Sequence, residues 1–392
     1  MSKVIMHVDL NYFFVRCEEI KNPKLIDKPV MIGGIGRAGI VSTCSYAARK
    51  FGVHSGMPSY RALELCPNII VLPGDYKFYS LMSHEFFAFA RKYTHNIEQT
   101  SIDECYLDIT NLIKKEKDVM SFLKGFQDGL YKKTQLKCSI GVASTRFLAK
   151  MGSDYKKPMG ITIIHKRDIV KMLYPLDIGD FYGIGKRSTP KLIAMGVKTI
   201  GDLAEFIKDK EASEKMFGRY RLDIEKCLNG TSDDNVYKET SDPKSIGNSM
   251  TLMSDTDDEE EIAKAILMLA KEVSERAKRE KMRGKTIQLF LKGADFVSHN
   301  KSKTIATPSN EYLEIYQVAY NLFINNFMNL KVRLVGVTLQ NLSSLREENV
   351  QLSLFDYEKY NDSHDVNLII NKVNRKFNKK VVGKASAILK RK

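Results

Sequence analysis

At 392 residues the chain is too long for one ordinary domain, and 43% hydrophobic residues are enough for more than one core. Its 62 Lys and Arg against 47 Asp and Glu leave a net charge of +15, which favours a polyanionic partner, nucleic acid before a membrane surface. No run of about 18 apolar residues offers a membrane span. Met1-Ser2-Lys3-Val4 leads straight into a strand rather than a signal peptide, and six cysteines without paired spacing read as reduced thiols in a cytoplasm.

In chain order, apolar runs at 4–8, 30–32, 69–72, 105–109, 139–143 and 161–164 predict strands. The first ends on Asp9, and a helix is expected from Tyr12 to Glu19. Helical periodicity at 76–92 and 117–132 places Phe78, Met82, Phe86 and Phe89 roughly on one face, which reads as core. Residues 166 to about 233 turn helical, and a polar linker running to Pro243 separates a last domain at about 244–345. That domain is expected to open with a helix capped by Thr256, with Glu259 three residues on. Ile262, Ile266, Leu269 and Val273 form its core face, and strands follow at Thr286–Lys292 and Lys331–Gln340. Lys271 to Lys303 holds ten Lys and Arg against four Asp and Glu. A solvated face is the plain reading of that run.

The most informative tetrapeptide is Ser101-Ile102-Asp103-Glu104, at the start of the strand ending Cys105-Tyr106-Leu107-Asp108-Ile109. Asp9, Asp103 and Glu104 stand at the ends of apolar strands, where like charges repel unless a cation lies between them. A pair of divalent cations about 4 Å apart resolves such a cluster. Oxygen ligands without a Cys/His cluster favour Mg²⁺ over Zn²⁺. The residues alone leave a plainer reading open, in which Asp9 caps a helix and the Asp-Glu pair is a solvated strand end. Cys105 reads as a buried inert thiol rather than a nucleophile.

Three longer segments narrow the choice. Asp9-Leu10-Asn11-Tyr12-Phe13-Phe14, Thr43-Cys44-Ser45-Tyr46-Ala47-Ala48-Arg49-Lys50-Phe51-Gly52 and Ser101 to Asp108 occur in this order and spacing. The chain thereby resembles the Y-family, or translesion, DNA polymerases, most closely the bacterial polymerase IV type, from residue 1 to about 355. The resemblance implies an α/β right-hand polymerase. The palm would be 1–12 and 75–165, the fingers 13–74, a helix-hairpin-helix thumb 166–233, the little finger 244–345, and the tail 346–392.

It also implies roles. Asp9, Asp103 and Glu104 would be catalytic and hold two Mg²⁺, with the backbone carbonyl of Leu10 as a further ligand; Leu10 and Asn11 vary positions often acidic or aromatic in the family. Tyr12, Phe13, Thr43, Tyr46, Arg49 and Lys157 would bind the dNTP. On a helix Tyr46 and Arg49 share one face, and a guanidinium grips phosphate bidentately. Phe14 would be the steric gate beneath the sugar. Gly33 to Gly39 reads as a tight small-residue loop beside the nascent base pair, not a dinucleotide fingerprint. Gly183-Ile184-Gly185-Lys186-Arg187-Ser188 and Met195 to Leu203 resemble a helix-hairpin-helix, so Gly183, Gly185 and Lys186, with Arg283 and Lys285 of the basic run, would bind DNA. Gln351-Leu352-Ser353-Leu354-Phe355 matches a sliding-clamp motif through Gln351, Leu352, Leu354 and Phe355. The expected partners are primer-template DNA, dNTP and the clamp, with no membrane, and the chain is expected to act as a monomer. No spare acidic segment remains for a proofreading exonuclease. A non-catalytic DNA-binding scaffold is the alternative, against which the three intact carboxylates argue. A palm-fold nucleotide cyclase would share the carboxylates without needing the hairpin or the basic last domain.

Overall fold

A computed structural model describes residues 3–344 apart from 115, 117 and 238–241. The clamp-like motif at 351–355 lies outside the described residues. The chain divides between Asp242 and Pro243 into two compact units. Among the described residues no helix is long and apolar enough to cross a membrane.

The first unit holds two sheets. Strands β1 (Ile5–Leu10), β2 (Val30–Gly33), β3 (Val41–Cys44), β4 (Ile70–Leu72), β5 (Ile97–Gln99), β6 (Glu104–Asp108), β7 (Cys138–Ala143) and β8 (Ile161–Ile164) follow in sequence. The larger sheet runs β5-β6-β1-β7-β8, and the smaller β3-β2-β4. β1 is central and antiparallel to β6 and β7. Met6, Val8 and Leu10 on one face pack with Met82, Phe86 and Phe89 of helix Tyr76–Ala90 and with Leu123, Phe126 and Leu130 of helix Val119–Thr134. The aromatic stripe is therefore core, as the periodicity predicts. The smaller sheet has its own core around Met31, Val41, Cys44 and Val53. β3 and β5, missing from the predicted strands, are as short as β2 and β4 but carry Ser42, Thr43, Glu98 and Gln99, so no apolar run marks them.

The other face of the large sheet carries His7 and Asp9, Glu104 and Tyr106, and Gly141. Helix Arg146–Tyr155 lies directly on it, because Gly141 has no side chain. A Cβ there would stand 1.9 Å from the Ala149 carbonyl oxygen and 2.3 Å from the Ser153 nitrogen. Beyond β8, helices Thr189–Ala194 and Ile200–Phe206 are joined by a turn in which Gly196 takes φ 85, giving the predicted helical hairpin.

The second unit is a four-stranded antiparallel sheet, ordered β11 (Ser298–Ser309), β10 (Met282–Gly293), β12 (Val332–Ser344), β9 (Ser245–Thr256). Helices Glu259–Arg279 and Tyr312–Phe327 cover one face, burying Ile262, Ile266, Leu269, Val273 and Phe323 against Ile287, Leu289, Val337 and Leu339. Two expectations are corrected here: the unit opens with strand β9 and not with a helix, β11 also being absent from the expected strands, and the helix cap is not Thr256. Thr256 still pairs with Val332 as the last residue of β9, and Asp258 is the N-cap, its carboxylate accepting from the Glu260 and Glu261 nitrogens. On the open face Gln288 lies opposite Ser302 and Thr338, and Phe290 opposite Asn300 and Gly336.

Candidate active site

Register decides the site. β1 and β6 pair so that Asp9 stands directly opposite Glu104, and the Leu10 nitrogen donates to the Asp103 carbonyl at 2.9 Å. The Leu10 side chain is buried, which leaves its main chain to face the site. Asp103 lies mostly out of water; burial first, then the charges of Asp9 and Glu104, raise its pKa above the ordinary carboxylate value. Ser101 Oγ donates to its carboxylate at 2.6 Å.

Two lysines stand among the acids. Lys150 Nζ lies 2.8 Å from Asp9 Oδ2 and 2.9 Å from Glu104 Oε2, and Lys157 Nζ lies 2.9 Å from Asp9 Oδ1. Burial opposes both ammonium groups, yet Asp9 and Asp154 hold their pKa values above the usual lysine range. Glu104 is pulled down to about 2, first by buried His7, whose Nε2 is 3.5 Å away, and then by Lys150. Sequence reasoning missed Lys150 and His7. The available signal was a lysine among Phe147, Leu148 and Met151, the buried side of a short helix.

Among the described residues no three acids, cysteines or histidines gather closely enough to cage an ion unaided. The donor set suits a hard divalent cation, because Asp103 is a largely desolvated carboxylate whose charge no lysine among the described residues offsets within 4.0 Å.

Asp9 and Asp103 open onto a cavity of about 300 Å³ also lined by Leu10, Asn11, Tyr12, Phe13, Phe14, Thr43, Tyr46, Arg49 and Lys157. Every residue expected to touch the nucleotide is there, together with Ser42 and Ser55, which sequence reasoning had not singled out. Tyr46 begins and Arg49 ends a one-turn helix; the Arg49 guanidinium lies 4.7 Å from the Tyr46 ring centre, and Tyr46 meets Tyr12 edge-on. Helix Phe13–Lys21 starts at this cavity with no side-chain cap, and its first internal bond is Arg16 nitrogen to Tyr12 carbonyl. Its opening N–H groups are thus left for an anion. The Phe13 ring is buried in the core, so Phe13 offers backbone rather than side chain. Asn11 ties the strand end to the Lys157 segment by accepting from the Met159 nitrogen at 2.8 Å.

Glu104, on the same sheet face, borders a cleft of about 1520 Å³ also lined by Tyr106, Arg146, Tyr182 and Gly183. Gly183 takes φ 106, and nothing lies within 4 Å of a Cβ built at Gly183 or Gly185, so the hairpin backbone is open to a large ligand. Lys186 beside it is exposed. Arg283 and Lys285 lie on β10 of the second unit, Lys285 exposed and Arg283 partly so. All six cysteines are free, and Cys105 is wholly buried with its pKa raised by desolvation, an inert thiol.

The profile of the impB/mucB/samB family matches residues 8–154, and that of its C-terminal domain residues 243–354. DNA polymerase IV 1 of Bacillus subtilis is 35% identical, covering 99% of this chain and 94% of that protein. DNA polymerase IV of Clostridium kluyveri is 37% identical over the full length of both. This chain is a Y-family DNA polymerase of the polymerase IV type. The structure of a Y-family chimera built from Dbh and Dpo4 superposes with a TM-score of 0.76 at 26% identity, over 87% of this chain and 99% of the other. DinB from Sulfolobus solfataricus follows at 0.59 and 28%, over 86% and 98%. The enzyme is a DNA-directed DNA polymerase of the translesion class, and membership carries a general dependence on divalent metal.

Proposed function

We propose that this Y-family polymerase adds dNMP units to a primer 3′-hydroxyl by a two-metal reaction with Mg²⁺, without proofreading. One observation carries the reading: Asp9, Asp103 and Glu104 stand between a small pocket lined by Arg49 and Lys157 and a much larger cleft. The triphosphate would occupy the pocket and the primer end the cleft. Asp9 and Asp103, with the Leu10 carbonyl, would hold the ions, and Glu104 would complete the primer side. Two Mg²⁺, when bound, lower the pKa of the attacking hydroxyl and neutralise charge on the leaving pyrophosphate. The chain's own groups do the rest. Arg49, Tyr46, Thr43 and Lys157 grip the β- and γ-phosphates, the free N–H groups after Tyr12 receive phosphate oxygens, and Phe14 supports the sugar. One dNTP and the primer hydroxyl yield the extended primer and pyrophosphate. The small Gly33–Gly39 loop would check base-pair shape weakly, which suits damaged templates at the expense of fidelity. Extension of a primed template with Mg²⁺ and dNTPs tests this, with the Asp103 variant discussed below as its control.

The palm, fingers, thumb and little finger would follow the boundaries expected from the sequence, the chain working in the cytoplasm as a monomer. Gly183, Gly185 and Lys186 would hold backbone phosphates, and the second unit would grip the duplex through its polar open face and through Arg283 and Lys285. Reversing Lys278, Arg279, Lys281 and Arg283 to Glu is expected to weaken primer-template binding. It should also lower the slope of log affinity against log salt by roughly two or more. Lys278 pairs with Glu311 at 3.0 Å and Arg279 with Glu280 at 3.9 Å, so part of the effect comes through groups that already have a carboxylate partner. An unchanged slope would mark the run as a solvated face.

Gln351, Leu352, Leu354 and Phe355 would dock on the sliding clamp as a short extended peptide, Leu354 and Phe355 filling an apolar pocket. Burying two such side chains contributes roughly 3–6 kcal/mol before ordering costs, in the range of micromolar affinity. Replacing Leu354 and Phe355 with Ala should leave unassisted extension intact and remove stimulation by loaded clamp. Normal stimulation of the double variant would show the assignment to be wrong.

A further inference from the structure

Both carboxylate oxygens of Asp9 are taken by ammonium groups, Oδ2 by Lys150 and Oδ1 by Lys157. The two lysines are not equivalent. Lys150 sits on a helix whose backbone is pressed against Gly141, its side chain only 11% exposed, and it bridges Asp9 to Glu104. It is a fixed counter-ion that lets two like charges share one face. Lys157 lies beyond the end of that helix with its side chain 27% exposed, and lines the anion pocket with Tyr46 and Arg49. Its second partner, Asp154 Oδ1 at 2.7 Å, belongs to a side chain that is 42% exposed. Lys150 also reaches Asp154, at 3.5 Å, so what separates the two lysines is exposure and place: only Lys157 lines the anion pocket, where an entering ligand can meet it.

We propose that Lys157 masks the metal site in the free enzyme and that an incoming triphosphate removes the mask. With Lys157 on Oδ1, a divalent cation must displace an ammonium to reach that oxygen. A polyphosphate entering the pocket offers Lys157 several anionic oxygens in place of one, and Oδ1 is released as the nucleotide settles. Nucleotide and cation binding are then positively coupled through one side chain, and by linkage each strengthens the other equally. The inference rests on the reading that Asp9 is a metal ligand and Lys157 a triphosphate contact.

The test is a titration of the full chain with Mn²⁺, free of DNA and nucleotide, followed by electron paramagnetic resonance. Lys157→Met should bind Mn²⁺ about tenfold more tightly than the unaltered chain. Lys156→Met, the neighbouring exposed lysine with the same change of charge, should leave the affinity within about twofold. Adding Asp9→Asn to Lys157→Met should abolish the gain. Equal affinities for the two lysine variants would overturn the mask. Failure of Asp9→Asn to affect Mn²⁺ uptake in any background would instead overturn the metal reading itself, and the proposal with it. In EDTA, inorganic tripolyphosphate should shift the Lys157 ammonium ¹⁵N resonance and leave that of Lys150 in place. A Lys157 resonance that stays fixed while the ligand binds would overturn the exchange.

Discussion

Asp103→Asn is expected to reduce primer extension by about a thousandfold or more while making the metal-free protein more stable. The two effects have one cause. Asp103 has been moved out of water beside Asp9 and Glu104, and its raised pKa means that the fold disfavours its charge. Such a carboxylate costs stability above the ordinary carboxylate pKa, and the cost is relieved as pH falls and the group protonates. Asparagine has the same shape, keeps an oxygen to accept from Ser101, and carries no charge. Removing the disfavoured charge should therefore raise the melting temperature of the metal-free protein, and by more at neutral than at acid pH. The functional loss follows because a neutral amide is a poor ligand for a hard divalent ion. Primed-template extension and thermal melts in EDTA check the two halves. Near-normal extension would sink the catalytic role. A lowered melting temperature would mean that an unseen partner stabilises the charge.

Phe14→Ala is expected to relax the preference for dNTP over rNTP on the order of a hundredfold, with a smaller loss in dNTP use. The Phe14 ring lies flat on Tyr79 at 4.5 Å with 14° between planes, and Tyr76 meets it edge-on at 5.7 Å. It borders the nucleotide pocket and is backed by core on the far side. A ring held this firmly cannot move aside for a 2′-hydroxyl, so its removal opens space where the sugar would rest. The competing role is packing alone; truncating a buried Phe costs about 3–5 kcal/mol, and less where the ring is partly open. Ratios of kcat/KM for matched rNTP and dNTP separate the two. A folded variant with unaltered discrimination would leave Phe14 as a core residue.

Residue type and position marked the acids and left a solvated reading of them open; the residues of the smaller pocket came from the family resemblance. Asp9 and the Asp103-Glu104 pair mark strand ends, and Tyr46 with Arg49 fits a single helical turn. Long periodic segments were clear: the stripe from Met82 to Phe89 is core as expected, and so is the face from Ile262 to Val273. Strands without an apolar run were not: Val41–Cys44, Ile97–Gln99, Ser245–Thr256 and Ser298–Ser309 are rich in polar residues, whereas the equally short Val30–Gly33 and Ile70–Leu72 were marked by their apolar residues. The cap at Asp258 was misplaced to Thr256, because which of two oxygen-bearing residues caps the helix depends on where β9 stops pairing.

By itself, then, the sequence determined which chemical groups the protein possesses and which local segments carry them, since residue type and periodicity are local properties. The tertiary structure alone decided how those groups meet. The β1–β6 register set Asp9 opposite Glu104, and a one-residue slip would have turned one of them to the other face. The missing side chain of Gly141, far along the chain from Asp9, let helix Arg146–Tyr155 approach closely enough for Lys150 to reach both acids. Lys150 and Lys157 are separated from Asp9 by well over a hundred residues, so no local pattern could pair them. Charge complementarity across that distance is a property of the fold.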